Sequence, residues 1–491
     1  MKNTLVKNTL ILIITSLIVR LLSLFNRIVL TRLLGNEGIS LYVISLPSIM
    51  LFMSIAGFSL NLVLSKIVSE NQVTKKYSDK AILKNAILIG FVTSLITALI
   101  LIIVIKPLVY VGLKQEKTFY PILSCIIFLP LVALNNIIRG YYNGKNQINI
   151  SAYANLIEQV SRILVGTLFL YIFLPYGLII SVTMAIIAMG IGEFISLIYS
   201  LVILKRKKVD VISKINDISP KKDIIRIGLP TTLSRLVGNF SLFLEPIIYT
   251  LALSILAFSS DDILYKYSAV TAYAIPLITL CSFISQSIAT AVIPNISKAN
   301  ASNNTNEINY YIKKSCILSI IPGILVSILI TVYGYEYMSL VYNTDIGANY
   351  VTSLGALFIV YYIHSPLMAI MQALGRQKFL FKFNIIISII KLILIFGLSF
   401  INFISFNSLI LATLLVTIIS TMYIFFYLKN TYKFKFFFNE NFNFILLTVL
   451  TILSLIILKA GIKNYLLNSF ILSILFIIYA KILKITSFRN K

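Results

Sequence analysis

The chain has 491 residues, 59% of them hydrophobic and 12% charged, with a formal net charge of +26. A soluble protein of that composition has too little polar surface to cover itself, so soluble enzymes and soluble nucleic-acid binders are excluded together. Apolar runs of about 20 residues, the length a helix needs to cross ~30 Å of hydrocarbon, recur from end to end and predict an all-α integral membrane protein.

The first apolar run, near 10–33, follows Lys2 and Lys7 as a signal peptide does. Arg20 and Arg27 interrupt it and no small-residue cleavage site follows, so it reads as an uncleaved span. Ser16, Arg20, Ser23, Arg27 and Thr31 succeed one another at steps of three and four, which makes one polar stripe along a helix. The two arginines lie two turns apart, about 10 Å along the axis. Runs near 39–68, 82–105 and 119–142 come next. The fifth, 151–174, carries Asn155, Glu158, Gln159 and Arg162. Glu158 and Arg162 are an i,i+4 pair in the favoured order, able to neutralise itself, which favours a structural role. The sixth, 177–203, holds Glu193 as a gating or structural charge.

A basic linker, KRKKVDVISKINDISPKKD at about 205–223, divides the chain. The seventh run, 224–256, carries Arg235, Asn239 and Glu245. Ten residues separate Arg235 from Glu245, about 15 Å along a helix and about 80° round it, so the two do not pair with each other. Runs near 263–293, 311–333, 348–374, 379–401, 405–428, 442–460 and 464–484 complete about fourteen transmembrane helices. Asp261 and Asp262 read as an external loop cap. The single histidine, His364, sits beside Pro366, where helix packing is favoured over proton relay. Lys391, in the eleventh run, either lines a cavity or pairs locally. Cys125, Cys281 and Cys316 have no paired spacing and read as small packing residues, and neither a metal site nor a cofactor is expected.

Most of the 42 Lys and Arg fall in alternate linkers, among them KKYSDKAILK, RGYYNGK, GRQKFLFK and LKNTYKFK. By the positive-inside rule those linkers and both termini are cytoplasmic, and the excess charge meets anionic lipid rather than nucleic acid. Features of the first half recur in order in the second. Arg20 precedes Arg235 by 215 residues, Pro47 precedes Pro276 by 229, and Gly144 precedes Gly375 by 231. The spacing holds an even number of spans, so the repeats are parallel. The expected organisation is a six-helix lobe at 1–204, the linker at 205–223, a six-helix lobe at 224–428 and two additional helices in 429–491. Such paired lobes are a transporter architecture with a site between them near the midplane.

LTRLLGNEGISLYVISLPSIMLFMSIAGFSLNLVLSKIVSEN, RGYYNGKNQINISAYANLIEQVSRIL, GLPTTLSRLVGNFSLFLEPII and IPLITL…IPNISKA resemble the stage V sporulation protein B group of the MOP flippase superfamily. The resemblance covers essentially the whole chain. It implies a MurJ- or MATE-like fold and movement of an undecaprenyl-diphosphate-linked peptidoglycan or polysaccharide precursor across the plasma membrane, with a role in spore cortex or cell-wall synthesis. The Arg-rich second-span signature of the MurJ branch is absent.

Three function classes compete. A lipid-linked glycan flippase wants a cationic cavity, because arginine stays charged and meets a diphosphate through paired donors. Arg20, Arg27, Arg235 and Asn239 are the candidate substrate-binding residues. A cation-coupled multidrug exporter of the MATE type wants carboxylates there instead. A polyprenyl-phosphate-dependent glycosyltransferase wants a large outer domain, and no outer linker is long enough. No nucleophile–histidine arrangement exists to support catalysis. The expected partners are the lipid-linked diphosphate cargo and membrane lipid.

Overall fold

A computed structural model of the chain describes residues 2–206, 219–280, 282–432 and 438–483. Most of the expected basic linker, and Cys281, lie outside the described residues. Every regular element among those described is a helix. Among the described residues eleven helices are long and apolar enough to cross a membrane, or up to thirteen if each of two bent pairs is one span. The chain is thus a multi-pass membrane protein, in which the first two expected runs are joined in one segment, Ile14–Thr74, and others are bent.

The chain divides into two units, residues 1–268 with 392–408, and residues 269–391 with 409–491. The first unit opens with α1 (Lys2–Ala56), α2 (Leu60–Thr74), α3 (Asp79–Pro107) and the short α4 (Phe119–Leu123). It continues with α5 (Leu129–Gly144), α6 (Ile148–Phe173), α7 (Leu178–Arg206), α8 (Lys221–Ile255) and α9 (Ser260–Ser268). α1 is two helical arms joined at Gly35, whose φ of 63° is a left-handed conformation that a side chain resists. Between α1 and α2, Phe58 and Ser59 take φ of 43° and 47°, so the run expected at 39–68 is broken inside the membrane-length segment Ile14–Thr74. Its core joins Leu60 and Leu64 of α2, Ile82 of α3, Ile137 and Tyr142 of α5, and Ile224 of α8. α1 packs on α6, α7, α8 and α9. The α3 face bearing Phe91, Leu95, Leu99 and Ile103 is exposed, which suits lipid contact.

Residues 392–408 join the first unit through specific contacts. The Tyr249 hydroxyl of α8 donates to the Phe406 carbonyl at 2.9 Å, and the Phe258 and Phe406 rings lie 4.3 Å apart.

The second unit contains α10 (Ile275–Ile278), α11 (Ser282–Ala301), α12 (Thr305–Tyr342), α13 (Ala348–Leu354), α14 (Ile359–Ala373) and α15 (Gln377–Ser399) as far as Lys391. α16 (Ser408–Tyr432) enters it at Leu409, followed by α17 (Phe438–Gly461) and α18 (Tyr465–Ile482). α11, α12, α14 and α16 share a core of Ile296, Ile312, Met371 and Ile424. The last two helices pack on α12: Leu447 and Phe476 meet Ile317 and Ile324, and the Asn468 amide donates to the Tyr333 hydroxyl at 2.9 Å.

Candidate functional site

The polar stripe of α1 changes environment along its length. Arg20 and Ser23 are exposed, Arg27 is half-buried, and Thr31 is buried. The Ser23 and Thr31 hydroxyls donate to the carbonyls of Val19 and Arg27, each at 2.8 Å. These hydroxyls are therefore satisfied by their own helix.

α8 shows the same change. Arg235 is exposed, Asn239 half-buried and Glu245 buried, and Gly238 faces open space, with nothing within 4 Å of where a Cβ would stand. Among the described residues no hydrogen bond or ion pair reaches Arg235. Glu245 lies close enough to Tyr267 of α9 to act on it electrostatically, and so does Arg27 of α1. The structure therefore brings Arg27 and Glu245 around one buried tyrosine, on α1, α8 and α9. It does not place Arg235 with them.

A second charged cluster joins α5, α6 and α7. The expected Glu158–Arg162 pair forms, and Glu158 also accepts from Arg139 Nη2 of α5 at 2.7 Å. The same Arg139 nitrogen donates to the Ser196 hydroxyl of α7 at 2.8 Å. Glu193 accepts from the Asn135 amide at 2.5 Å. Two guanidiniums and two carboxylates make this cluster formally neutral. A buried cluster that is neutral and hydrogen-bonded holds helices together without presenting net charge to a ligand. Sequence reading placed Arg139 in a linker, yet its side chain is 11% exposed and deep in α5. The signal was the four-residue spacing of Asn135, Arg139 and Asn143, one stripe on a helix face.

In the second unit, His364 Nδ1 lies 3.1 Å from the Thr421 hydroxyl and 3.4 Å from that of Ser420, both on α16. These contacts join α14 to α16, as a packing histidine does. Lys391 is half-buried near the end of that unit's share of α15. Cys125 and Cys316 are buried and free.

A family model described as polysaccharide biosynthesis protein matches residues 5–300, and a second, MatE, matches 240–396. The chain is 31% identical over 405 residues to stage V sporulation protein B of Bacillus subtilis (strain 168), covering 81% of this chain and 78% of that one. It is 23% identical over 462 residues to the lipid II flippase MurJ of the same organism, covering 88% and 83%. Among solved structures, a lipid II flippase MurJ in an inward closed conformation superposes with a TM-score of 0.73 at 17% identity, covering 97% of this chain and 99% of that one. An inward-facing multidrug resistance MATE family transporter of the MOP superfamily gives 0.67 at 15% identity, over 85% and 98%.

Proposed function

The chain belongs to the polysaccharide biosynthesis protein family, and from that membership we propose that it flips an undecaprenyl-diphosphate-linked peptidoglycan or polysaccharide precursor across the plasma membrane by alternating access. The observation that carries this reading is the set of arginines on two membrane helices, Arg20 and Arg27 on α1 and Arg235 on α8. A charge inside a membrane segment is costly and is retained where it meets a partner or a pathway. Arg139 and Arg162 share Glu158, whereas Arg235 stands exposed beside open space at Gly238. Arg20, Arg27 and Arg235 take the diphosphate as it leaves water, and Asn239 adds a neutral donor one turn from Arg235. The names of the relatives, a stage V sporulation protein and a lipid II flippase, agree with a spore-cortex or cell-wall precursor as cargo.

Both termini lie in the cytoplasm in this reading. The positive-inside distribution supports it, and so does span arithmetic. The 61-residue segment Ile14–Thr74, broken at Gly35, is long enough for two crossings. Counting its arms separately, with each bent pair as one span, gives fourteen. The six-helix repeats expected at 1–204 and 224–428 supply the moving parts, with 429–491 added to them. An inside-negative potential favours outward movement of the anionic headgroup by ~2.3 kcal/mol per charge per 100 mV.

The MatE match over 240–396 favours a second reading, cation-coupled multidrug export. A vesicle assay separates them. Reconstituted protein is expected to move lipid II, or another undecaprenyl-diphosphate glycan, between leaflets under an imposed potential. If neither lipid moves at any potential while cationic drugs do, the flippase reading is lost.

A further inference from the structure

Where α2 ends and α8 begins, the first unit forms a partly open cavity of about 520 Å3. Lys66, Lys76 and Arg226 bring three cations to its wall, and Glu70 and Asp223 bring two carboxylates. One oxygen of Asp223 takes both the Tyr77 hydroxyl at 2.6 Å and the Lys76 ammonium at 3.3 Å. An ammonium and a hydroxyl converging on one anionic oxygen is the donor set a phosphate oxygen wants.

The backbone that carries these donors is held in place independently of Asp223. The buried Asn71 side chain donates to the Tyr77 carbonyl at 2.7 Å and accepts from the Tyr77 amide at 2.8 Å. Ser78 caps α3, its hydroxyl accepting from the Ala81 amide at 3.1 Å. The turn carrying Lys76 and Tyr77 is thus clamped at both ends. Lys76 lies outside the spans, and its ammonium is held above its ordinary pKa by the Tyr77 side chain first and then by the Asp223 carboxylate.

The competing acids are weakly held. The Lys76–Asp223 pair has side chains 50% and 38% exposed, and Lys66–Glu70 lies at 3.8 Å with both exposed. Exposed pairs of this kind contribute little. Arg226, one turn beyond Asp223, has no ion pair among the described residues. A ligand with more negative charge than one carboxylate gains Lys66 and Arg226 as well as the donors Asp223 gives up.

We propose that this cavity binds the diphosphate of the cargo headgroup, and that Asp223 is its internal competitor, occupying Lys76 and Tyr77 until the diphosphate displaces it. The identity of the cargo rests on the proposed function; the recognition chemistry does not. Because Asp223 lies in the first turn of α8, its displacement frees the start of the helix that carries Arg235 further on. The diphosphate is read here before it reaches the arginines.

The test is equilibrium binding to the full-length protein in detergent at low ionic strength, with inorganic pyrophosphate, inorganic phosphate and phosphatidylglycerol as separate ligands. Pyrophosphate is expected to bind more tightly than either of the others. Asp223→Asn should tighten it roughly threefold to tenfold, by removing the competitor. Lys66→Gln combined with Arg226→Gln should weaken it about tenfold or more. Asp261→Asn, an exposed acid at the start of α9, removes the same charge elsewhere and should leave binding unchanged. The proposal falls if Asp223→Asn binds no tighter than wild type, or if Asp261→Asn tightens binding equally. It also falls if phosphatidylglycerol shows the dependence and pyrophosphate does not. Pyrophosphate binding with this pattern but no lipid flipping would reject the transport reading alone; flipping without pyrophosphate binding would reject this site alone.

Discussion

Replacing Glu158 by Gln tests whether the α5–α6–α7 cluster is structural. In the native protein one carboxylate serves Arg139 and Arg162, and the three side chains are 13%, 11% and 20% exposed. Glutamine keeps the shape and one acceptor but leaves two guanidiniums facing the single remaining charge of Glu193. Breaking a buried ion pair costs ~3–5 kcal/mol. Two pairs break here, but Glu193 and residual solvent offset part of the loss, so ~4 kcal/mol is the expected destabilisation. In a chain of this length that lowers the apparent Tm by roughly 4–8 °C, scaled down from the per-residue behaviour of smaller domains. The assay is the fraction of monodisperse protein left after heating in detergent. Adding Arg162→Gln restores a one-to-one balance between Arg139 and Glu193. The double variant should therefore recover part of the loss, with a coupling of at least ~1 kcal/mol. A Glu158→Gln protein melting within about 1 °C of wild type, or strict additivity in the double variant, would refute the reasoning.

Arg235→Ala should melt close to wild type and lose flipping per folded molecule, while Arg235→Lys retains part of it, since charge survives but the paired donors do not. Full activity in a stable Arg235→Ala protein would remove that residue from the site. Gly140→Ala should lower the yield of folded protein, because the added Cβ would stand 2.7 Å from the Asn61 carbonyl and 2.9 Å from the Asn61 Cα, both backbone. The expected cost is ~1–3 kcal/mol, as for an overpacked core, read as a fall in Tm. Gly238→Ala meets nothing within 4 Å and should be neutral or raise Tm slightly, since Ala is the better helix former.

Local periodicity made part of the site legible. The α1 stripe follows from steps of three and four, and Glu158–Arg162 from its i,i+4 spacing, because both are properties of one helix. Arg139 was hidden because its carboxylate partner lies 19 residues away on another helix. Tyr77 and Asp223 are 146 residues apart, and no pattern within either segment announces the contact. The fold was legible to the same depth. Hydropathy reports a preference for apolar surroundings and does not distinguish lipid from protein. It therefore ran one element across 39–68, where Phe58 and Ser59 turn left-handed between α1 and α2. It likewise drew 348–374 as one rod, where α13 and α14 meet at a 75° bend.

Arginine serves two purposes along this chain, and its surroundings separate them. Arg139 and Arg162 converge on one carboxylate beside a second, so the region between α5, α6 and α7 carries no net charge. Arg20 and Arg235 are exposed on the first halves of α1 and α8, and each helix becomes more buried further along, at Thr31 and at Glu245. The two helices thus repeat one design: an open cationic half followed by a closed half, where Arg27 and Glu245 both act on Tyr267. Under the proposed topology the open halves lie on the side from which the headgroup enters. A diphosphate arriving there meets exposed arginines, while the formally neutral cluster of α5, α6 and α7 holds the scaffold together. Neutralising the first set should remove transport and spare the fold; unbalancing the second should do the reverse.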